Sequence, residues 1–489
     1  MSHYLLSIDQ GTTNSRAIIF NRNAEIIAKS DVSLTQFYPR DGWVEQDPKE
    51  IIDNTILCCQ QALQIANLTA YEIAGIGISN QRETTLVWDR TTGDPIYPAI
   101  VWQDRRTAFL CEKFAFLADS IQKKTGLLLD PYFSATKLLW ILDNVENARA
   151  RMQNLLFGTV DTFLLWKLTR GKVHATDVTN ASRTLLFNLH TQTWDDEILE
   201  HLSIPKSLLP QVFDNAHEFG RIDKSILGAE IPIAGMAGDQ QAALIGQACF
   251  KEGMLKVTYG TGAFMVLNTG NKIIASKNQL LSTVAYRINH EITYGLEGSI
   301  FCTGATIKWL RDTLKIIATA AETEDLAKSL HSNEGVYLVP AFTGLGAPYW
   351  EPNARAALCG LTRNSGVASI ARAALESVAY QTRDLLEAVL LDITFPLQEL
   401  RVDGGMAIND WMLQFIADIL SIKLRRSSCI ETSALGVAYL AGLQIGFYNS
   451  LEEIAALEKM PEEFNGQMSV TARENLYVAW KKAVRKVLS

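Results

Sequence analysis

Twice along this chain an apolar run enters a Gly-Thr turn and a second apolar run leaves it. The two copies are LLSIDQGTTNSRAIIF near the start and LKVTYGTGAFMVLN over residues 255–268. The alternation on either side of each turn predicts strand, tight turn and antiparallel strand. The weak repeat divides the chain into residues 1–246 and 247–489. Between the copies, IAGIGIS (73–79) and LLFGTVD (155–161) read as strands, and Ala135 to Asp143 reads as a helix. Strands alternating with helices are α/β texture. In the second half Ile370, Ala374, Val378, Leu385 and Val389 recur near helical spacing and predict a long packed helix. LRVDGG then reads as a strand ending in a turn, before a helix from about Asp410 to Leu420 with Asn409 as N-cap.

Length and charge narrow the possibilities. A chain of 489 residues exceeds what one hydrophobic core supports, so two large domains with a cleft between them are expected. With 48% hydrophobic and 20% charged residues and no biased tract, the composition is that of a globular protein. The net charge of -8 gives no footprint for nucleic acid. The cysteines, 58, 59, 111, 249, 302, 359 and 429, form no CxxC pair and leave one over, and MSHYLLSIDQ has no apolar signal region. A cytoplasmic protein without a membrane span is expected. The scattered histidines show no ligand spacing, which argues against a protein-held zinc.

The turns carry the candidate chemistry. In IDQGTTNSR, Gly11 lets the backbone turn tightly and approach a ligand, while the N–H groups and the hydroxyls of Thr12, Thr13 and Ser15 suit phosphate oxygens. Arg16 adds a positive charge, and Asp9, at the end of an apolar strand, could hold magnesium directly or through water. A threonine-rich hairpin turn is the plainer reading. Tyr259, Gly260, Thr261 and Gly262 repeat the turn in the other half, so two loops could close on one phosphate chain. Asp403, Gly404 and Gly405 could let a flat base or ribose lie against the backbone. GxxxxGK[ST] is absent, which excludes a P-loop enzyme, and the absence of GxGxxG, HRD and DFG argues against dinucleotide-binding and protein-kinase machinery.

On the acceptor side, SNQRETT places Arg82 beside Glu83, a donor and an acceptor that together could read vicinal hydroxyls; an exposed ion pair is the alternative. Gly238, Asp239 and Gln240 open a helix, so Asp239 is either a plain N-cap or a base that takes an acceptor hydroxyl's proton. Trp102, Tyr132 and Phe264 could wall a polyol's carbon chain, and each is equally a core candidate.

Taken in order, IDQGTTNSR, WVEQDP, NQRETT, AIVWQDRRT, DPYFSATK, TVDTFLLWKLT, TNASRT, GDQQAAL, YGTGAF, PAFTGLGAPYW and RVDGG span the chain. This series resembles the carbohydrate kinase family that shares its fold with actin and the heat-shock ATPases, and within it the glycerol kinases. The resemblance implies two actin-like, ribonuclease H-like α/β domains around a central cleft, with ATP and Mg2+ as cofactors and glycerol as acceptor. It implies that Thr12, Thr13, Asn14 and Arg16 form the first phosphate loop, that Thr261 and Gly304 contact nucleotide, and that Gly405 and Asn409 lie at the adenosine end. It also implies a glycerol pocket of Arg82, Glu83, Trp102, Tyr132, Asp239, Gln240 and Phe264, with Asp239 as base. The expected assembly is a homo-oligomer, a dimer or tetramer. Two positions depart from the pattern. Lys308 stands where some glycerol kinases have glutamine, and LGAE, with Glu230 in an arginine's place, lacks the Gly-Gly-Thr-Arg loop that binds fructose 1,6-bisphosphate. Inhibition by that route is therefore not expected.

Overall fold

The computed structural model describes residues 3–458 and 462–488. Its two large sheets repeat one plan. Numbering only their strands, the first sheet has β1 (Tyr4–Gln10), β2 (Asn14–Phe20), β3 (Ile26–Ser33), β4 (Ile73–Asn80), β5 (Ala216–Arg221) and β6 (Pro232–Gly238). They lie in the order β5-β6-β4-β1-β2-β3, with β1, β4 and β6 parallel and β1, β2 and β3 antiparallel.

The second sheet has β7 (Met254–Tyr259), β8 (Ala263–Asn268), β9 (Leu281–Ile288), β10 (Glu291–Ile300), β11 (Glu399–Asp403), β12 (Leu424–Arg426) and β13 (Glu462–Phe464). Its order is β9-β10-β8-β7-β11-β12-β13, so β7 and β8 stand where β1 and β2 stand in the first sheet, and β11 stands where β4 does. β1 and β4 read as nearly continuous apolar runs because helices cover both faces, as is usual for parallel strands.

Most of the anticipated elements form. The long helix runs Val367–Asp392, and Asn409 caps the helix Asp410–Leu420 by accepting from Met412 N at 2.8 Å. One reading needs correction. The strand beginning at Leu155 stops at Gly158, and Val160 and Asp161 already belong to the helix Val160–Leu168. Every residue from Leu155 to Leu165 is buried, polar ones included, so no amphipathic period marks where strand gives way to helix.

Two helices bring the halves together: α1 (Asp239–Gly246), which leaves β6, and α2 (Thr432–Gln444), from the second half, which crosses β4 and β6 of the first sheet. Glycines permit the contact. A Cβ on Gly77 would lie 2.1 Å from Val437 O, and one on Gly436 would lie 1.8 Å from Ala242 O. The start of α1, and with it Asp239, is thereby held between the two sheets.

Candidate active site

The first Gly-Thr turn closes between β1 and β2 through Gly11 N donating to Asn14 O at 2.9 Å. Register sets Asp9 opposite Arg16 and, on the other side, beside Ser79. Arg16 then faces several carboxylates: Asp31 at 2.6 Å, Glu431 at 3.4 Å and Asp9 at 3.8 Å. Burial pushes the Asp9 carboxyl up to about 6 against the pull of Arg16, and Glu431 and Asp239 add to the rise. Trp102 Nε1 donates to Thr12 Oγ1 at 2.9 Å, which leaves that hydroxyl's own proton for a ligand. Ser15 is not available. It is buried and its hydroxyl donates to Gln10 Oε1 at 2.6 Å, so it leaves the set of phosphate donors. Asn14 Nδ2 likewise bonds Asp31.

The second turn is held mainly by backbone, with one side-chain hydroxyl. Gly260 O accepts from Gly304 N and from Thr303 Oγ1, both at 3.0 Å, and Thr261 O accepts from Thr303 N and Ala305 N. Gly304 thus begins the helix Gly304–Asp312 directly against the turn, with Lys308 exposed one turn further along. The glycines around the cleft fall into two kinds. A Cβ on Gly404 would lie 2.4 Å from Tyr259 O, and one on Gly304 would lie 2.6 Å from Gly260 O. At Gly405 it would meet nothing within 4 Å, at Gly260 only an oxygen at 3.7 Å, and at Gly11 only one at 3.4 Å. Gly11, Gly260 and Gly405 therefore have open space beside them. Of the Gly-Gly pair, Gly404 is packed against Tyr259 and only Gly405 is open. Asn409 commits Oδ1 to its cap, leaving Nδ2.

The acceptor residues meet in a buried ionic ring. Arg82 grips Glu297 with both terminal nitrogens, at 2.6 and 3.0 Å, and its Nε lies 3.2 Å from Asp239 Oδ1. Arg183 donates to Glu83 Oε1 at 2.6 Å and to Glu297 Oε1 at 3.0 Å. Burial alone would raise the Glu297 carboxyl; Arg183 and Arg82 reverse this and hold it at about 2. Arg82 and Glu83 are no exposed pair, being only 2% and 1% accessible, and their mutual contact is long, at 3.9 Å. Asp239 is the first residue of α1, with Gly238 at the cap, so it is not the plain N-cap. Its Oδ1 accepts from Gln240 N at 2.8 Å and faces Arg82, leaving Oδ2 for a ligand. Trp102 stands edge-on to Tyr132 at 5.5 Å and to Phe264 at 6.3 Å. All three are partly exposed, and Tyr132 also packs against the core beside Phe133.

Comparison with known proteins places this geometry. The N-terminal domain model of the FGGY family of carbohydrate kinases matches residues 4–246, and the C-terminal domain model matches residues 255–445. The chain belongs to the FGGY family of carbohydrate kinases. It is 58% identical to a glycerol kinase of Coxiella burnetii, covering 100% of this chain and 98% of the relative. It is 57% identical to glycerol kinase 1 of Pseudomonas aeruginosa, covering 100% of both chains. The structure of Plasmodium falciparum glycerol kinase with ADP superposes with a TM-score of 0.91 at 36% identity, over 99% of this chain and 98% of that one.

In this carbohydrate kinase, sequence reasoning missed Glu297, Arg183 and Lys256. Glu297 is a lone carboxylate in the buried half of β10, and Arg183 lies in TNASRT just after a helical turn. Lys256 is fully buried on β7 and donates to Gln240 Oε1 at 2.6 Å. For Lys256 and Glu297 a charged residue within a buried strand was the available signal, since burying an ion demands a partner; Arg183, in a turn, gave none.

Proposed function

We propose that this chain transfers the γ-phosphoryl group of ATP to a terminal hydroxyl of glycerol, giving sn-glycerol 3-phosphate and ADP, the first step of glycerol catabolism. The observation that carries this reading is Asp239. It projects from the start of α1 with one carboxylate oxygen held by Arg82 and the other free. Oδ2 would take the proton as the hydroxyl attacks phosphorus, and Arg82 would keep the carboxylate aimed. Arg82, Glu83 and Gln240 would orient the hydroxyls, with Trp102, Tyr132 and Phe264 packing the carbon chain. Thr12, Thr13, Asn14 and Arg16 would meet the terminal phosphates, Thr261 and Gly304 the phosphates from the opposite wall, and Gly405 and Asn409 the adenosine.

Asp9 fits magnesium. It is an oxygen donor whose carboxyl, raised by burial and by Glu431 and Asp239, gains from a nearby cation. Bound there, the metal would neutralise charge on the transferring group. Residues 1–246 would supply the acceptor pocket and first phosphate loop, and residues 247–489 most of the nucleotide site. The enzyme would work in the cytoplasm as a homo-oligomer.

A coupled ADP assay over a panel of polyols tests the reading. Turnover that requires glycerol and exceeds that with other polyols and ketoses is expected. ADP production indifferent to glycerol would overturn it in favour of a nucleotide switch.

A further inference from the structure

Glu297 and Lys256 reach the acceptor pocket from the second sheet, and the ionic ring explains only Glu297. Lys256 Nζ donates to Gln240 Oε1 at 2.6 Å and to Thr258 Oγ1 at 2.9 Å. Burial lowers its ammonium to about 8, while Asp403, Asp239 and Glu297 favour the charge and Arg82 opposes it; both of its hydrogen bonds are donated to oxygen. Gln240 can present either end of its amide, because the carbonyl and the NH2 group have nearly the same shape. An ammonium only donates. Beside it the carbonyl is favoured and the NH2 is not.

We infer that Lys256 is a positioning residue for the acceptor: by occupying Gln240 Oε1 it turns the Gln240 amide so that its N–H groups meet a substrate hydroxyl. The inference rests on the reading of Gln240 as an acceptor contact. Nε2 has no partner among the described residues, so it remains for the substrate. A hydroxyl oxygen that accepts from Nε2 must direct its own proton elsewhere, and Asp239 and Glu83 each have a carboxylate oxygen that the ring does not occupy, unlike Glu297. Lys256 thereby sets the polarity with which the pocket reads a polyol. Lys256 and Thr258 both lie on β7, the strand that leads into the second Gly-Thr turn.

The test is a double-mutant cycle on the full chain with glycerol and ATP. K256M should raise the glycerol KM about tenfold or more, the loss expected when a charge-assisted hydrogen bond no longer fixes the amide, while the ATP KM changes little. Q240A should give a similar rise, and the double variant should match Q240A. An unchanged glycerol KM in K256M, or increases that multiply in the double variant, would overturn the inference. Should K256M fail to fold, the wild-type enzyme decides by its handling of 3-amino-1,2-propanediol and 2-amino-1,3-propanediol. Donor groups on Gln240 should make it reject at least one of them strongly, and acceptance of both at glycerol-like KM would overturn the inference. A wild-type enzyme that is inactive on glycerol but active on another polyol would sink only the glycerol reading, and the cycle would then be run with that polyol.

Discussion

The turns at Gly11–Thr13 and Gly260–Gly262 share sequence pattern, strand register and place in their sheets, yet they are secured by different means. Around the first, side chains do the holding: Arg16 stands among Asp9, Asp31 and Glu431, and Trp102 reaches Thr12. Around the second, no charged side chain takes part: backbone holds backbone with the single help of the Thr303 hydroxyl, and Gly304 and Gly404 are packed where a methyl group would collide with Gly260 O and Tyr259 O. One hairpin plan is thus adapted to manage charge on one wall of the cleft and close approach on the other. That division suits a reaction in which one end of a nucleotide reacts and the other is only held.

The largest effect should come from Asp239, which shares the floor of the cleft with the charged turn. Asp239→Asn should lower kcat by about 10²- to 10⁴-fold, the usual range for a lost general base. ADP affinity by calorimetry should stay near wild type; loss of ADP binding in step with turnover would erase the distinction between the two walls. The glycines come next. Gly404 has φ +92° and a Cβ there would lie 2.4 Å from Tyr259 O, so Gly404→Ala should cost about 3 kcal/mol in urea denaturation. Gly11→Ala meets nothing nearer than 3.4 Å and should change stability by less than about 1 kcal/mol while weakening nucleotide binding. Equal stability losses would show that both turns depend on packing.

Both hairpins were legible because each is local: a few alternating residues on either side of a turn determine its register, and Asp9 opposite Arg16 follows from that alone. The cap at Asn409 was legible for the same reason. The partners of Arg82 and Gln240 were not. Glu297 arrives from a strand far along the chain, and the crossing of α2 onto the first sheet depends on glycines at 77 and 436 that carry no side chain to read. The resemblance pointed to Arg82 and Glu83 as substrate contacts. Only the structure shows each of them committed to another ion first, which makes them fixed instruments instead of mobile hands.

Two smaller effects probe the charged turn alone. Asp9 must be ionised to balance a cation, and burial places its carboxyl at about 6. A raised carboxyl is neutral below that value, so kcat/KM for Mg-ATP should fall as pH drops through 6, approaching tenfold per unit. Asp9→Asn should show a low value with this limb removed. A profile flat down to pH 5 in the wild type would detach Asp9 from the metal.

The smallest effect is expected at Asp31, which bonds Arg16 Nε at 2.6 Å but leaves the pair about one-third exposed on each side. Solvent screens such a pair, so Asp31→Asn should cost no more than about 1 kcal/mol of stability. Its value lies in what it does to Arg16. Freed of one carboxylate, the guanidinium keeps Glu431 and Asp9, and a modest change in ATP KM with unaltered glycerol KM would show that the charged turn serves the nucleotide alone. A shift in glycerol KM would mean instead that Arg16 acts through Asp9, whose carboxyl already feels the charge of Asp239.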